Sequence, residues 1–479
     1  MIPSAPTELF IDGAFRPAAD GGTFPVEDPA TEQILTSVAD ATVEDGKDAA
    51  AAAAAALPEW SRRAPRERAE ILRRAFELII AAKDELAALI TAENGKARTD
   101  AEAEVTYAAE FFRWYSEEAV RIPGHLGMAP SGERRIIEIS QPVGVSLLLT
   151  PWNLPAAMIT RKVAPALAAG CTVVVKPSRQ TPLTALYLAR LLTEAGVPAG
   201  VVNVVSTARD VALTAELVAR GPVRALSFTG STRVGSALLG QAAERVLKTS
   251  MELGGNAPFI VFSDADLDAA VSGALVAKMR HNAEACTAAN RFYVHASVHD
   301  EFVSRLAKGL AELEVGPGHV PSVQVGPMAS ASARDSLTEA VQSAVDSGGR
   351  VVLGGSPLKE TGYYFPPTLI DDVPPTAPVL DHELFGPVAP VVSFDSDDAV
   401  IEMANGTEMG LGSYVFTQDL RRGLSVAEQL ESGMVGLNTG VFSDPAAPFG
   451  GVKQSGIGRE GGRHGIHEFL ETKYIATQW

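Results

Sequence analysis

The chain has 479 residues, a length that exceeds one ordinary hydrophobic core and predicts two or three domains. Its formal net charge of −18 at pH 7 argues against a nucleic acid or an anionic membrane surface as a partner. Its two cysteines, Cys171 and Cys286, exclude a disulfide framework and favour a reducing compartment.

The N-terminal part is predicted to begin with strands and to continue with helices. The first ten residues lack the basic start and apolar core of a targeting signal. Residues 9–39 alternate apolar and polar residues around glycine turns, which predicts a β-hairpin. The longest apolar block, residues 49–57, is far shorter than the ~20 residues that span a bilayer. Helices are predicted over residues 43–57, 65–93 and 98–120. We therefore expect a cytoplasmic protein without a membrane partner.

Two distant segments are predicted to form a small separate sheet. Residues 134–140 (RRIIEIS) have strand character with mixed faces, after a break at 124–130. The last segment, 469–479, returns to strand character. We interpret 134–140 as an excursion that forms oligomers, and we expect the two segments to pair between chains.

From residue 143 the pattern changes to repeated strand–loop–helix units. Near-continuous apolar strands are expected at 143–150, 171–176, 201–206 and 225–228. Helical patterns separate them at 155–169, 181–196, 211–220 and 232–246. Apolar strands that alternate with helices are typical of a doubly wound parallel sheet, whose sites lie at the carboxyl ends of the strands. Cys171 opens one of these strands and is interpreted as a core residue.

A second α/β run begins near residue 256. Its strands are predicted at 256–262, 291–296, 351–354, 387–394, 410–416 and 434–438. Its helices are predicted at 264–280, 298–313, 330–347, 396–405 and 419–432, with Asp264 as the candidate cap of the first. The predicted fold class is therefore α/β with two such units.

One turn in the first run has the properties of an anion site. The segment 227–235 (SFTGSTRVG) joins a strand to a helix, and such a turn directs free N–H groups at an anion. Gly230 allows close approach, and Lys176 ends a neighbouring strand. Either feature alone also fits a packing glycine or an ordinary surface lysine. Together they predict a dinucleotide site in the crevice of the sheet.

Three side chains in glycine-rich or small-residue junctions could do chemistry. Cys286 lies between a helix and a strand, although a free cysteine is more often a packed thiol. If it reacts, we expect the site to assist its ionisation. Glu252 lies in an apolar junction, where burial would suit a general base, and a salt-bridged Glu is the alternative. Asn153 could donate to an oxyanion or could cap a helix. Cysteines and histidines do not have zinc spacing, so no metal is expected.

Motifs along nearly the whole chain resemble those of the aldehyde dehydrogenase superfamily. In order they are PWN at 151–153, KPS at 176–178, FTGST at 228–232, ELGG at 252–255, EAC at 284–286, ELFGPV at 383–388, NTG at 438–440, PFGG at 448–451 and SGIGRE at 455–460. The resemblance implies an NAD(P)-binding domain at 1–120 and 140–252, a catalytic domain at 253–440, and a bridging segment at 121–139 and 459–479. It also implies a homodimer or a homotetramer.

The resemblance implies a role for each matching residue. Cys286 would attack the aldehyde, Asn153 and the Cys286 N–H would hold the oxyanion, and Glu252 would activate water. The cofactor would be bound by Trp152, Lys176, Ser178, Arg179, Gly230, Ser231, Glu383 and Phe385. Family members that prefer NAD often carry a glutamate three residues after the lysine, where this chain has Arg179. Two cations there would suit a 2′-phosphate, so NADP is expected to serve at least as well as NAD, unless Arg179 merely faces solvent.

The substrate prediction depends on Arg161, Arg280 and Ser443, which match positions that clamp a distal carboxylate in the succinate-semialdehyde branch of the family. Phe449 would frame the same pocket. Taken separately, each residue also has an ordinary interpretation. Arg161 fits a solvated helix face, Arg280 a cation at a helix C-terminus, and Ser443 a loop hydroxyl. We predict oxidation of succinate semialdehyde, with glutarate semialdehyde or a related ω-carboxy aldehyde as the alternative.

Two rival functions and two departures from the family pattern complete the prediction. A CoA-acylating relative would not need Glu252, and a silent structural member would not need Cys286, Glu252 and Asn153 together. The segment 282–285 (NAEA) replaces the glycine and glutamine that many members carry before the nucleophile. The second residue after the nucleophile is Ala288, so the redox disulfide of some relatives cannot form.

Overall fold

The architecture is that of a computed structural model, which describes residues 5–358 and 361–478. The helices are α1 Val43–Arg62, α2 Pro65–Ala81, α3 Lys83–Asn94, α4 Arg98–Glu118, α5 Ala157–Ala169, α6 Pro182–Glu194, α7 Asp210–Ala219, α8 Thr232–Ala243, α9 Leu267–Met279, α10 His299–Ala311, α11 Ala331–Asp346, α12 Asp397–Asn405 and α13 Leu420–Gln429. Short 3₁₀ turns occur at Arg280–Ala283, Pro378–Leu380 and Gly465–Phe469.

The strands form five sheets. They are β1 Leu9–Ile11, β2 Ala14–Arg16, β3 Thr23–Asp28, β4 Gln33–Ala39, β5 His125–Met128, β6 Arg135–Pro142, β7 Val145–Leu149, β8 Thr172–Lys176, β9 Val202–Val204, β10 Val223–Thr229, β11 Lys248–Glu252, β12 Ala257–Val261, β13 Ala289–His295, β14 Arg350–Leu353, β15 Thr368–Asp371, β16 Val388–Phe394, β17 Met409–Gly410, β18 Gly412–Phe416, β19 Met434–Leu437, β20 Val452–Lys453, β21 Gly456–Ile457 and β22 Leu470–Thr477. The predicted α/β class is confirmed.

The first large sheet has the strand order β2-β1-β9-β8-β7-β10-β11-β21. The strands from β9 to β11 are parallel, and the antiparallel strands β1 and β21 flank them. The chain runs from β7 outward to β8 and β9, and then returns to place β10 on the other side of β7. The order of the strands therefore reverses between β7 and β10, and ligands bind at such a switch point.

The second large sheet has the order β14-β15-β16-β13-β12-β18-β19 and is parallel except at β14. A short link, residues 253–256, connects the carboxyl end of β11 to the amino end of β12. Gly255 in this link passes close to residues 280–288, which we call the nucleophile loop after the predicted role of Cys286, since a Cβ at Gly255 would lie 2.2 Å from the main-chain oxygen of Cys286. The glycine thus lets the two α/β units approach each other at the site.

A three-stranded sheet has the order β22-β6-β5. β22 pairs with β6 in an antiparallel register from Leu470 opposite Pro142 to Thr477 opposite Arg135. The expected pairing of these two segments between chains is therefore wrong, because they hydrogen-bond to each other within one chain. Apolar side chains remain exposed on this sheet, namely Leu126, Met128, Tyr474 and Ile475.

Several local predictions differ from the structure. The hairpin predicted at 9–39 is two hairpins, β1–β2 and β3–β4. The helix predicted at 65–93 divides at Ala82 into α2 and α3. Helix α9 is capped by Asp266, whose carboxylate accepts from the N–H groups of its first turn, whereas Asp264 binds Arg422. Strand β11 was missed because its sequence, KTSME, is short and largely polar.

No helix within 5–358 or 361–478 is both long and apolar enough to cross a membrane.

Candidate active site

A cleft opens at the switch point, where the loops that follow β7 and β10 meet. Its walls are Pro151, Trp152, Asn153, Met158, Thr229, Gly230, Ser231, Leu253, Gly254, Cys286, Glu383 and Phe385. Five of the predicted cofactor residues thus share one cleft with Cys286. Adjacent strand ends bring them together, although most are far apart in sequence.

The cleft has the groups that a dinucleotide needs. The rings of Trp152 and Phe385 meet edge to face, with centroids 5.5 Å apart. Helix α8 begins just after Ser231, whose side chain does not cap it, so first-turn N–H groups are left for an anion. Glu383 Oε1 accepts from Gly255 N–H at 3.1 Å, which fixes a carboxylate in the wall. Burial raises the pKa of Glu383 to about 7, against the Gly255 N–H and the Lys278 ammonium. The residues present therefore fit NAD(P).

The remaining predicted cofactor residues follow β8. Lys176 ends this strand, and its ammonium is paired with the Asp210 carboxylate at the start of α7. Ser178 is partly buried, whereas Arg179 is exposed and makes no hydrogen bond or ion pair with the described residues. Asp210 is a residue that the sequence patterns did not single out.

The loop before Cys286 has a left-handed backbone at residues other than glycine, and contacts from other elements hold it there. His281, Asn282 and Ala283 have φ values of 57°, 59° and 59°, a left-handed conformation that is uncommon outside glycine. Asp100 Oδ2 accepts from His281 N–H at 2.6 Å. Asn282 donates to the Pro327 oxygen at 3.1 Å and accepts from Gly326 N–H at 2.8 Å. These contacts hold the loop in its strained conformation, and Cys286 lies shortly before β13 begins.

Glu284, two residues before the nucleophile, extends this loop's connections. Its Oε1 accepts from Ala329 N–H at 3.0 Å, while Oε2 is buried without a hydrogen-bond partner in the described residues. Burial raises the pKa of Glu284 to about 8, against the Ala329 N–H and the Lys96 ammonium. The side chain therefore favours the neutral form at pH 7, in which it can both donate and accept a hydrogen bond.

Asn153 joins the nucleophile loop to the first α/β unit. Its Nδ2 donates to the main-chain oxygen of Glu284 at 2.8 Å, and its own main-chain oxygen accepts from Lys96 Nζ at 2.6 Å. Lys96 and Glu104 form a fully buried ion pair at 2.6 Å. Glu104 also accepts from Ala156 N–H at 2.8 Å. An amide nitrogen carries two hydrogens, so Asn153 retains one donor for a substrate oxygen.

Glu252 is the last residue of β11 and is only 2% exposed. Both of its carboxylate oxygens are buried and have no hydrogen-bond partner among the described residues. Burial raises its pKa well above the usual value, and the nearby Glu460 carboxylate adds to this rise. Lys162, Arg161 and Arg459 act in the opposite direction. This environment produces a carboxylate that takes up a proton readily.

Burial also raises the pKa of the Cys286 thiol, to about 12, and the Glu383 carboxylate contributes. Arg161 opposes the rise, whereas Glu252 and Glu460 add to it. The surroundings of the thiol in the protein alone therefore oppose its ionisation, and assistance by a base of the site stays a prediction. The thiol stays protonated until a base accepts its proton.

A second cavity reaches Cys286 from the other side. It is lined by Ala103, Glu104, Tyr107, Leu154, Met158, Arg161, Arg280, His281, Ala285, Cys286, Thr287, Ser443 and Phe449. Cys286 and Met158 line both cavities, so the nucleophile lies where the two meet. The structure brings all four predicted substrate residues into this second cavity.

The two arginines in the second cavity differ in their partners. Arg161 is 2% exposed and donates to the Tyr107 hydroxyl at 2.6 Å. Its Nε lies 3.5 Å from Glu460 Oε2, and its guanidinium lies 4.0 Å from the Phe449 ring centroid. Arg280 makes no ion pair or hydrogen bond with the described residues, and its Nε is buried. Within the described residues, Arg280 is therefore a cation of this cavity that has no carboxylate at ion-pair distance, although its charge opposes the rise that burial causes in the pKa of Asp100.

Some residues of the site were missed by sequence reasoning. Tyr107, His281 and Glu460 contact predicted residues or line their cavity, and Lys162 pairs with Glu460. Reciprocal main-chain hydrogen bonds of 2.7 Å between Phe449 and Glu460 hold the latter beside Arg161. The SGIGRE motif contained Glu460, but no local pattern indicated its partners.

Comparison with known proteins agrees with this geometry. A model of the aldehyde dehydrogenase family matches residues 15–475. The chain is 52% identical to the succinate-semialdehyde dehydrogenase of Paenarthrobacter nicotinovorans over 442 residues, 92% of this chain and 98% of that protein. It is 49% identical to the glutarate-semialdehyde dehydrogenase of Pseudomonas aeruginosa over 469 residues, 98% and 97% of the two chains.

Among solved structures, an NADP-dependent enzyme of E. coli is similar with a TM-score of 0.98 and 45% identity, and the match covers 100% of both chains. Fold, sequence and motif order thus agree over almost all of the chain. The chain belongs to the aldehyde dehydrogenase family.

Proposed function

We propose that this NAD(P)-dependent, aldehyde-oxidising enzyme acts on a short aldehyde with a distal carboxylate, and that succinate semialdehyde is its preferred substrate. The observation that carries the proposal is Arg280, an unpaired guanidinium in the cavity that ends at Cys286. A carboxylate can engage such a group through two charge-assisted hydrogen bonds. Ser443 offers a further hydroxyl in the same wall.

The chemistry begins with transfer of the Cys286 proton to Glu252, whose environment favours proton uptake. The thiolate adds to the aldehyde carbon and forms a thiohemiacetal. Its oxyanion accepts from the free N–H of the Asn153 amide and from the Cys286 main-chain N–H. NAD(P), when bound in the switch-point cleft, supplies the hydride acceptor that makes this an oxidation.

Release of the acid requires water and a base. After the thioester has formed, Glu252 releases the Cys286 proton to solvent, and the regenerated carboxylate accepts a proton from water, whose oxygen attacks the acyl carbon. The C–S bond then breaks and the sulfur leaves as the Cys286 thiolate. The buried, unpartnered carboxylate of Glu252 suits this role, and a CoA-dependent release would not need it.

The choice between succinate and glutarate semialdehyde depends on the distance from the aldehyde to the carboxylate. Both substrate names occur among relatives of nearly equal similarity. Arg280, Ser443 and Arg161 share one cavity with Cys286, which suits a distal carboxylate in either aldehyde. We propose succinate semialdehyde because the relative named for it has the higher identity, 52% against 49%. Glutarate semialdehyde is the nearest competitor.

The test is kcat/KM for succinate semialdehyde, glutarate semialdehyde and butanal, each with NAD and with NADP. We expect both carboxylated aldehydes to exceed butanal, by about ten- to over a hundredfold if Arg280 alone makes the charge-assisted contact. Succinate semialdehyde should lead the pair. Equal values for succinate semialdehyde and butanal would contradict the proposal and leave only the general aldehyde-oxidising activity.

We also propose a cytoplasmic homodimer or homotetramer. The apolar side chains exposed on the β22-β6-β5 sheet, Leu126 and Tyr474 among them, favour an association surface there. An unmodified Cys286 nucleophile is best preserved in reducing surroundings. Light scattering of the purified chain would measure the oligomeric state.

A further inference from the structure

The end of β8 carries two opposite charges. Lys176, the last residue of β8, pairs with Asp210, the first residue of α7. β8 and β9 are parallel neighbours, and α7 follows β9, so both side chains lie at the carboxyl edge of the sheet. The Lys176 side chain is 12% exposed and that of Asp210 is 43% exposed. A carboxylate is thus held at the edge where a dinucleotide would lie.

A carboxylate and a cation at this edge select different cofactors. In dinucleotide sites a carboxylate accepts hydrogen bonds from the adenosine ribose hydroxyls of NAD, and an arginine accommodates the 2′-phosphate of NADP. Position 179, three residues after Lys176, carries an arginine that is exposed and unpaired among the described residues. Asp210 comes from a different strand connection, so its carboxylate is not predicted by the KPS motif.

We propose that Asp210 is a specificity-determining residue that supports NAD and opposes NADP, while Arg179 acts in the opposite direction. The inference rests on the proposed function, in which this edge binds the adenosine ribose. We therefore expect the wild-type chain to use both cofactors, because it carries both the Asp210 carboxylate and the Arg179 guanidinium. When NADP binds, its 2′-phosphate competes with the Asp210 carboxylate for Lys176.

A purely structural role for Asp210 gives different expectations. An acidic residue in the first turn of α7 interacts favourably with the helix dipole, and a half-exposed ion pair adds little to stability. In that case the variant would change the melting temperature slightly and would leave the NADP-to-NAD affinity ratio at its wild-type value. Only a change in this ratio identifies cofactor selection.

The experiment measures dissociation constants of the full-length protein for NAD and NADP by calorimetry, with ADP and 2′,5′-ADP as probes of the adenosine end alone. Asp210→Asn should raise the NADP-to-NAD affinity ratio about tenfold, the size expected for a charge-assisted contact that solvent partly screens. The 2′,5′-ADP-to-ADP ratio should rise in parallel. Raising the ionic strength should reduce the difference between variant and wild type.

Asp20→Asn is the matched control. Asp20 is 45% exposed and pairs at 2.7 Å with Arg209, the residue that precedes Asp210. Asp20 does not pair with Lys176. This variant should leave both ratios unchanged. Asp210→Ser, which also removes the charge and suits a helix N-terminus, replaces the Asn variant if that one does not fold.

The inference is overturned if the Asp210 variants bind both cofactors with the wild-type ratio, or if Asp20→Asn changes the ratio equally. Failure of the proposed function is a separate result, in which the wild-type chain binds neither NAD nor NADP. The two failures are therefore distinguishable from the wild-type measurement alone.

Discussion

The side-chain amide of Asn153 donates to the main-chain oxygen of Glu284, two residues before Cys286, at 2.8 Å. This hydrogen bond joins the loop after β7 to the nucleophile loop across the boundary between the two α/β units. The proposed oxyanion donor and the proposed nucleophile are therefore positioned by one contact. Variants that move either loop should affect the reaction through this contact.

Cys286→Ala should abolish aldehyde oxidation while NAD(P) binding remains, because the thiolate is the proposed attacking group. Glu252→Gln should slow release of the acid. Because Glu252 is also the proposed acceptor of the Cys286 proton, the variant can slow formation of the thioester as well. Stopped-flow absorbance separates the two effects: a burst of reduced cofactor followed by a slow steady state shows impaired hydrolysis, and loss of the burst shows impaired thiolate formation. Wild-type turnover by Cys286→Ala would contradict the mechanism.

Arg280→Ala should lower kcat/KM for succinate semialdehyde by about ten- to over a hundredfold, the value of one charge-assisted contact. Butanal has no carboxylate, so its oxidation by the same variant should stay near the wild-type rate and serves as the internal control. A parallel loss on both aldehydes would mean that Arg280 supports the nucleophile loop instead of binding the carboxylate.

Arg179→Glu should lower kcat/KM with NADP by about tenfold or more, because a carboxylate repels the 2′-phosphate and a cation is lost. Activity with NAD should be kept or improved. Steady-state kinetics at low and high salt would measure both effects. A strong NAD preference in the wild type, unchanged in the variant, would show that Arg179 merely faces solvent.

Removing the Lys96–Glu104 ion pair by Lys96→Met with Glu104→Gln should lower kcat, because Lys96 Nζ holds the main-chain oxygen of Asn153. The loss should be at most that of Asn153→Ala, about 10²- to 10³-fold for an oxyanion donor. When the Lys96→Met and Glu104→Gln changes are combined with Asn153→Ala, they should lower kcat little further than Asn153→Ala alone.

Arg68→Met is the control for general destabilisation of helix α5. Glu104 accepts from Ala156 N–H at the start of this helix, whereas Arg68 Nε donates to the Ala168 oxygen at its other end. The Arg68 variant should lower the melting temperature with kcat nearly unchanged. Additive losses between the Lys96 variant and Asn153→Ala would argue that the ion pair acts on folding alone.

Glu284→Gln should change the pH dependence of stability. The folded-state pKa of Glu284 is raised to about 8, above that of an unfolded glutamate, so the folded protein holds the extra proton. The wild type should therefore be most stabilised by this group at acid pH and should lose that stability as the pH rises through about 8. The variant, which cannot ionise at this position, should lack this contribution.

Urea unfolding of wild type and Glu284→Gln at several pH values between about 5 and 9 measures the difference, which should amount to a few kcal/mol at most. Parallel curves for the two proteins over this range would contradict the raised pKa.

The local part of this protein was predictable from sequence. Repeated apolar strands and amphipathic helices identified both α/β units, because side-chain periodicity is a property of neighbouring residues. Motifs at the junctions predict roles for Cys286, Glu252 and Asn153, and these roles come from the resemblance to the family and not from periodicity. Strand β11, which carries Glu252, was missed as a strand although its last residue was identified, since its polar sequence lacks the periodic signal.

Only the tertiary structure decided which groups face each other. Lys162 and Glu460 are 298 residues apart in sequence, and Lys176 and Asp210 are 34 apart, yet both pairs are in contact. The order of strands in the sheet brings these residues together, and no local pattern contains that order. The same holds for the pKa of Cys286, which depends on burial between two units and on charges from distant loops. Sequence therefore predicts which residues react, whereas packing determines their partners and the charges that surround them, because those contacts join residues that are distant in the chain.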